Sequence, residues 1–542
     1  MEKAFIGIDV GTGSARAGIF DPEGRLVASA KHPIRLWQDA GGVAEQSSDD
    51  IWMAVCTATR QALAASGLPA QQIAGIGIDA TCSLVVLDDR FQPVTVSASG
   101  EAARNIIVWM DHRATAEAKE INQSGARVLD YVGGSISPEM QSPKLLWLKR
   151  HLPESFAKAA HFFDLSDYLT ARATGSLARS TCTVTCKWTY LAHEKRWDGD
   201  FFRAIGLPEF PGEGYTRIGT EILDPGTPLG RGLTAEAAAD LGLVPGIAVG
   251  AALIDAHAGG VGTVGAIGPN GEAPDPLARV AYIMGTSACI MASTESPLFV
   301  KGIWGPYQSA MIPGLWLNEG GQSAAGAAID YLLRLHPAFP DLETRAKADA
   351  LAPLEWLEKA ILARGPASDA VLATQNLHIV PDLLGNRSPF ADPDARGVIL
   401  GLDMEPGIDG LIRLYLAALC GLGYSTAQVI DAFRTAGQAC TTLVMSGGAS
   451  RSPLVRQIMA DTTGCTVAYP TTAEPVLLGA AMLGALAAGR FTNLPQAMAA
   501  MSRIGSLTQP AAGGLAAFHT KKRQIFTLMQ TLDREARSMM AE

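Results

Sequence analysis

No Gly-Lys pair occurs anywhere in the 542 residues, so the phosphate-binding loop built around that lysine is absent. Positive charge is also in deficit: 43 Lys and Arg stand against 53 Asp and Glu, for a formal net charge of -10. That balance argues against nucleic-acid and membrane partners, because such surfaces are met by clustered Lys and Arg. A small anion bound here must then be held by backbone amides and metal. Cysteine is sparse and scattered, at Cys56, Cys82, Cys182, Cys186, Cys289, Cys420, Cys440 and Cys465, which reads as reduced, mostly buried thiols. Cys182 and Cys186 form a C-x3-C pair with no second pair or His at ligand spacing nearby, which argues against zinc. The start, MEKAF, has no charged-then-apolar leader, and no run approaches the roughly 20 apolar residues of a spanning helix. The expectation is a cytoplasmic protein.

What is present is an alternation of strand-like and helical runs, the pattern of an α/β protein. The length exceeds what one core fills, so two domains are expected, 1–260 and 261–542. A Gly- and Pro-rich stretch at 266–276 reads as the linker or a surface excursion beside it. AFIGIDVGTG, SARAGIFD and RLVASA, with the turn Pro22-Glu23-Gly24 between the last two, predict a β-meander. A dinucleotide loop would carry a third glycine where Arg16 stands and would open a helix, so that alternative fails. The device of an apolar strand running into glycine and hydroxyl residues recurs as AYIMGTSA in the second half, a weak internal repeat suggesting two similar halves facing one phosphate.

In the first such turn, Gly11, Thr12, Gly13 and Ser14 let amides approach phosphate oxygens closely, because glycine has no Cβ. Asp9, at the strand end, is placed either to hold a hydrated Mg²⁺ or to cap its own turn. Gly285, Thr286 and Ser287 form the matching turn of the second half, or an ordinary strand ending. Thr441 to Met445 is strand-like, Gly447 and Gly448 turn, and Ser452 and Pro453 supply an N-cap and first helical residue. Pro475 likewise opens a helix whose small residues Gly479, Ala480 and Ala481 permit close packing. Asp255 follows a strand and precedes AHAGGVG, so on local grounds it is a helix N-cap.

Taken together, GIDVGTGSARAG, WMDHRA (109–114), GAALIDAHAGG, MGTSA, EGGQSAAG (319–326), LLGNRSP (383–389), MSGGASRS (445–452) and EPVLLGAA (474–481) resemble the FGGY carbohydrate kinases over essentially the whole chain. The resemblance implies two actin-like, ribonuclease-H-like domains around a deep catalytic cleft, and an ATP-dependent sugar kinase. The first domain would bind sugar and carry the first phosphate turn; the second would bind ATP. It places the catalytic base at Asp255, which would also reach the metal with Asp9, and ATP on both glycine turns, Gln322, and Gly447, Gly448 and Ala449. An aspartate within hydrogen-bond reach accepts the proton of a sugar hydroxyl as the bond to phosphorus forms.

For the sugar, Asp79-Ala80-Thr81-Cys82-Ser83-Leu84-Val85 resembles the TCSLV marker of D-ribulokinases and is similar to the D-x-T pattern of L-ribulokinases. The Gln-Met-His and Gln-Arg-Glu expected of xylulokinases and glycerol kinases are not there. Thr81, Cys82, Ser83, Asp111, Lys187 and Glu319 fall on substrate positions of the family, as does Arg113. Each has a plainer reading: Thr81 and Ser83 satisfying their own backbone, Asp111 and Arg113 on the surface, Glu319 as a helix-start acid, Lys187 as a surface lysine beside a packed Trp188. Leu145, Leu146, Trp147 and Leu148 read as packing residues. D-ribulose is the leading substrate, with L-ribulose, xylulose, a pentitol or glycerol as alternatives. A homodimer fits this reading. An actin-like ATPase that binds proteins is the alternative of another class.

Overall fold

The computed structural model describes residues 3–541. Ala4–Val10, Ser14–Phe20 and Leu26–Pro33 form the expected antiparallel meander. Ile73–Ala80 runs parallel to Ala4–Val10, and the short strands Ala248–Val249 and Leu253–Ile254 run parallel to it in turn. The second half repeats this plan. Arg279–Met284, Ala288–Thr294 and Trp316–Gln322 are antiparallel neighbours, while Thr442–Ser446 and then Thr466–Pro470 continue the sheet in parallel. Trp304–Gln308 and Ile504–Thr508 extend its two edges. The weak repeat read from two glycine turns is therefore a repeat of strand order across two sheets.

Burial on both faces explains why the central strands read as near-continuous apolar runs: every residue of Ala4–Val10 is buried. The helix Pro475–Ala487, from the second half of the chain, packs on the first sheet. Glycine permits this contact. A Cβ on Gly7 would lie 1.9 Å from the Leu477 carbonyl oxygen, and one on Gly479 would lie 1.9 Å from that of Ala258, in the helix Asp255–Val264. The two halves are thus joined by a pair of helices in backbone-to-backbone contact. The helix starts are as read: Ser452 accepts a hydrogen bond from the Val455 amide, with Pro453 as the first residue of Pro453–Thr463.

The expectation of no spanning-length apolar segment needs correction. Ile408–Thr435 is long and apolar enough to cross a membrane, but 83% of its apolar window is buried inside the fold. Its hydrophobicity is explained by burial, since its own Leu411, Leu419 and Phe433 are part of the second half's core. All eight cysteines are free, and six of them are buried.

Candidate active site

A cavity of about 380 Å³ lies between the two sheets, lined from both halves of the chain. Both glycine turns face it. In the first, the Gly11 amide donates to the Ser14 carbonyl at 3.1 Å; in the second, the Gly285 amide donates to Ser287 at 2.9 Å. These two amides are spent on closing their turns, so the donors left for an anion are on the residues that follow. A Cβ on Gly13 would meet nothing within 4 Å, so the space above that turn is open. The Trp109 indole donates to Thr12 Oγ1 at 3.0 Å, which leaves the threonine's own hydroxyl hydrogen to point elsewhere. The second turn is braced from behind by the Ala325 and Ala327 amides, which donate to the Thr286 carbonyl.

Strand register gathers the carboxylates. Asp9 stands beside Asp79 across the parallel pair, and Leu253–Ile254, on the other side of Ile73–Ala80, delivers Asp255 to the same end. Asp255 is the first residue of its helix rather than the cap, which is Ile254; its Oδ1 accepts from the Ala256 amide at 2.7 Å. Burial, then the nearby Asp9 charge, pushes the Asp255 carboxyl up to about 6. Burial and Asp9 also push Asp79 well above the usual carboxylate range, and neither of its oxygens finds a donor. Arg16 donates to Asp9 at 2.6 Å and to Glu474 at 2.9 Å, tying the first sheet to the residue that precedes the Pro475–Ala487 helix. The cluster suits a divalent cation of the Mg²⁺ kind: it offers hard carboxylate oxygens, and Arg16 meets Oδ2 of Asp9 alone. Among the described residues no three acidic, His or Cys side chains form a closed metal cage.

Lys187 is only 4% exposed, so it is a pocket residue, with Nζ 4.5 Å from the centre of the Trp304 ring. Burial alone would lower its pKa, but the Glu319 carboxylate and other acidic neighbours more than offset this and raise it. Glu319 is reached by burial, which raises its carboxyl, and by Lys187 and His257, which pull it down to about 2. His257 in turn lies 2.9 Å from Cys182 Sγ, so a histidine does meet the C-x3-C pair through the fold. Burial pushes the Cys82 and Cys289 thiols up to about 12, so both line the cavity as neutral groups.

Of the residues singled out by sequence, Asp9, Gly11, Thr12, Gly13, Ser14, Thr81, Cys82, Lys187, Asp255, Gly285, Thr286, Ser287 and Glu319 line this cavity. Four groups do not. Ser83 lies beneath it, its Oγ 3.1 Å from Thr81 Oγ1 and accepting from the Trp109 amide. Asp111 is fully buried, its carboxylate taken by Arg113 and by the amides of Ala44 and Arg113; it anchors the loop rather than facing a ligand. Gln322 is occupied by Tyr282, Thr426 and the Leu422 carbonyl. Gly447, Gly448 and Ala449 lie outside the lining, at the end of the strand neighbouring Arg279–Met284. The cavity also recruits Arg16, Trp109, Glu139, Trp304 and Arg387, to which the sequence reading gave no role. Trp109 and Arg387 lie inside WMDHRA and LLGNRSP, so motif membership was the available signal.

Comparison with known proteins agrees with this geometry. Residues 4–262 match the N-terminal domain, and residues 280–488 the C-terminal domain, of the FGGY family of carbohydrate kinases. The chain is 46% identical over 544 residues to an FGGY carbohydrate kinase domain-containing protein of Homo sapiens, covering 99% of this chain and 98% of the relative. It is 37% identical over 517 residues to a D-ribulokinase of Saccharomyces cerevisiae, covering 90% of this chain and 72% of the relative. In fold it is similar to the xylulose kinase of Rhodospirillum rubrum, with a TM-score of 0.77 at 22% identity, covering 98% of this chain and 99% of that one. The repeated sheets are thus the two actin-like, ribonuclease-H-like domains expected. With both domains matched and both glycine turns lining one cavity with the carboxylates Asp9 and Asp255, the chain belongs to the FGGY family of carbohydrate kinases and is an ATP-dependent sugar kinase.

Proposed function

We propose that this kinase transfers the γ-phosphate of MgATP to the terminal hydroxyl of a ketopentose, with D-ribulose the preferred acceptor and D-ribulose 5-phosphate the product. The observation that carries the reading is the meeting of Thr81 and Cys82, from the ribulokinase-like segment, with Lys187, Glu319 and Asp255 in one cavity. The 37% identity to a yeast D-ribulokinase supports the same acceptor.

In this reading residues 1–260 carry the sugar and the first phosphate turn, and residues 261–542 carry the nucleotide. Asp255 accepts the proton of the attacking hydroxyl, a role suited to a carboxyl raised to about 6, nearer neutrality than an ordinary aspartate. Lys187 donates to the ketose carbonyl or a neighbouring hydroxyl. Free amides and the Thr12 and Thr286 hydroxyls cradle the phosphates, and the exposed Gly447–Gly448 backbone receives the adenosine. Asp9, with Asp255, would hold Mg²⁺, which supplies charge neutralisation to the transferring phosphoryl group. Such chemistry fits a cytoplasmic enzyme.

A coupled ADP-release screen across pentuloses, pentitols and glycerol tests the proposal. D-ribulose should give the highest kcat/KM, and ADP should appear only with an acceptor present. Clear preference for xylulose, L-ribulose or glycerol would replace the acceptor while leaving the kinase intact.

A further inference from the structure

One wall of the cavity carries charges that phosphoryl transfer leaves unused. Arg387 enters from the second half of the chain, after the strand His378–Val380; Glu139 enters from the first, just ahead of the helix Gln141–His151. Their charged ends lie 3.5 Å apart, and the two side chains are 11% and 14% exposed. Trp304 lies beneath both cations of the wall, with the Arg387 guanidinium 5.3 Å from the ring that Lys187 also approaches. The ionisable neighbours of Arg387 are Glu139, Cys289, Glu319 and Cys82, none of them from the glycine turns. Two cations, Lys187 and Arg387, stand with two carboxylates, Glu139 and Glu319, which are also approached by His112 at 3.6 Å and by His257 at 3.3 Å.

At 3.5 Å the Glu139–Arg387 contact is longer than a well-formed hydrogen bond. Among the described residues the guanidinium makes no hydrogen bond, so its N–H groups remain for ligand oxygens while its charge is already met. A ligand hydroxyl can use those donors. A ligand carboxylate would take the guanidinium as a bidentate partner, but only against the repulsion of Glu139 a few ångströms away.

We propose that Glu139 is a specificity-determining residue: by meeting the charge of Arg387 from across the cleft, it makes this wall accept a neutral polyhydroxy ligand and reject a sugar acid. The inference rests on the assignment of this cavity to the sugar. It adds the exclusion of one chemical class, which no shape argument supplies, since a ketose and the matching aldonate are close in size.

The test is calorimetric binding of D-ribulose and of D-ribonate to the full-length protein in the presence of MgADP. Glu139→Gln should bind D-ribonate about tenfold or more tighter than wild type, the scale of one charge-assisted hydrogen bond, while D-ribulose binding changes far less. Adding Arg387→Gln to that variant should abolish the gain. The proposal is overturned if Glu139→Gln changes both ligands by the same factor, or if the gain survives loss of Arg387. Should Glu139→Gln not fold, Arg387→Gln alone decides: it should weaken D-ribonate more than D-ribulose, and equal weakening overturns the idea. A wild-type protein that binds xylulose in place of ribulose defeats only the acceptor assignment; the same ratio is then read with xylulose and xylonate.

Discussion

The turns at Gly11–Ser14 and Gly285–Ser287 end equivalent strands in two sheets of the same order, and the residue two positions before each turn shows what differs. In the first half it is Asp9, facing Arg16 across the antiparallel pair and Asp79 across the parallel one. In the second half it is Ile283, facing Cys289 and Ser446 at the same two places. Strand order is shared and both turns carry hydroxyl residues, so both halves offer amides and hydroxyls to an anion. Charge is placed on one side only. Burying a second acidic cluster against the first would add desolvation and like-charge repulsion, already visible in the raised Asp79 and Asp255 carboxyls.

The comparison breaks hardest at the charged side. Asp255→Asn removes the proton acceptor and keeps the shape, so kcat should fall by roughly 10²–10⁴ with the KM for ATP little changed. Ser446→Ala, opposite Ile283, should leave kcat near wild type. Steady-state kinetics on the two folded variants check this, and near-normal turnover of Asp255→Asn would remove it from the mechanism.

Lys187→Met should lower kcat/KM for the sugar by about tenfold to a few hundredfold, or ~1.4–3 kcal/mol, without moving the KM for ATP. A variant indistinguishable from wild type with every sugar would return Lys187 to a packing role.

The acid limb is the next largest effect. Asp255 is raised to about 6 and must be ionised to act, so kcat/KM should fall about tenfold per pH unit below that value and level off above it. A profile flat down to pH about 4.5, the ordinary carboxylate range, would show that another group limits the rate.

Smallest are the hydroxyls common to both turns. Thr12→Val and Thr286→Val should each raise the KM for ATP by only a few-fold, at about 1 kcal/mol per neutral hydrogen bond, and to similar extents. Strong asymmetry, read by the same coupled assay, would mean that the two turns are not equivalent toward phosphate.

Local chemistry made much of this readable. Ser452 and Pro453 start a helix because one side-chain oxygen and one fixed φ suffice, and Pro475 does the same beside its small residues. The meander and both glycine turns are also short-range features. Asp255 was legible as a helix-start acid, though it sits one residue inside the cap. Asp111 was misplaced: local sequence and family pattern both left it exposed or facing ligand, whereas the fold encloses it with Arg113 and Glu45. The chain from Cys182 through His257 to Glu319 links residues 75 and 62 positions apart, and no spacing rule reaches that far.

The sequence by itself determined where strands end in glycine and hydroxyl residues, where helices begin, and which side chains were available for acid, base and hydrogen-bond chemistry. Those features follow from backbone sterics and capping, which act over a few residues. Only the tertiary structure decided which of the many carboxylates share a cavity, that Asp255 is raised while Glu319 is held at about 2, and that Arg387 meets Glu139. Burial and Coulomb interaction set those properties. Both depend on distance in space, and the fold alone fixes that distance.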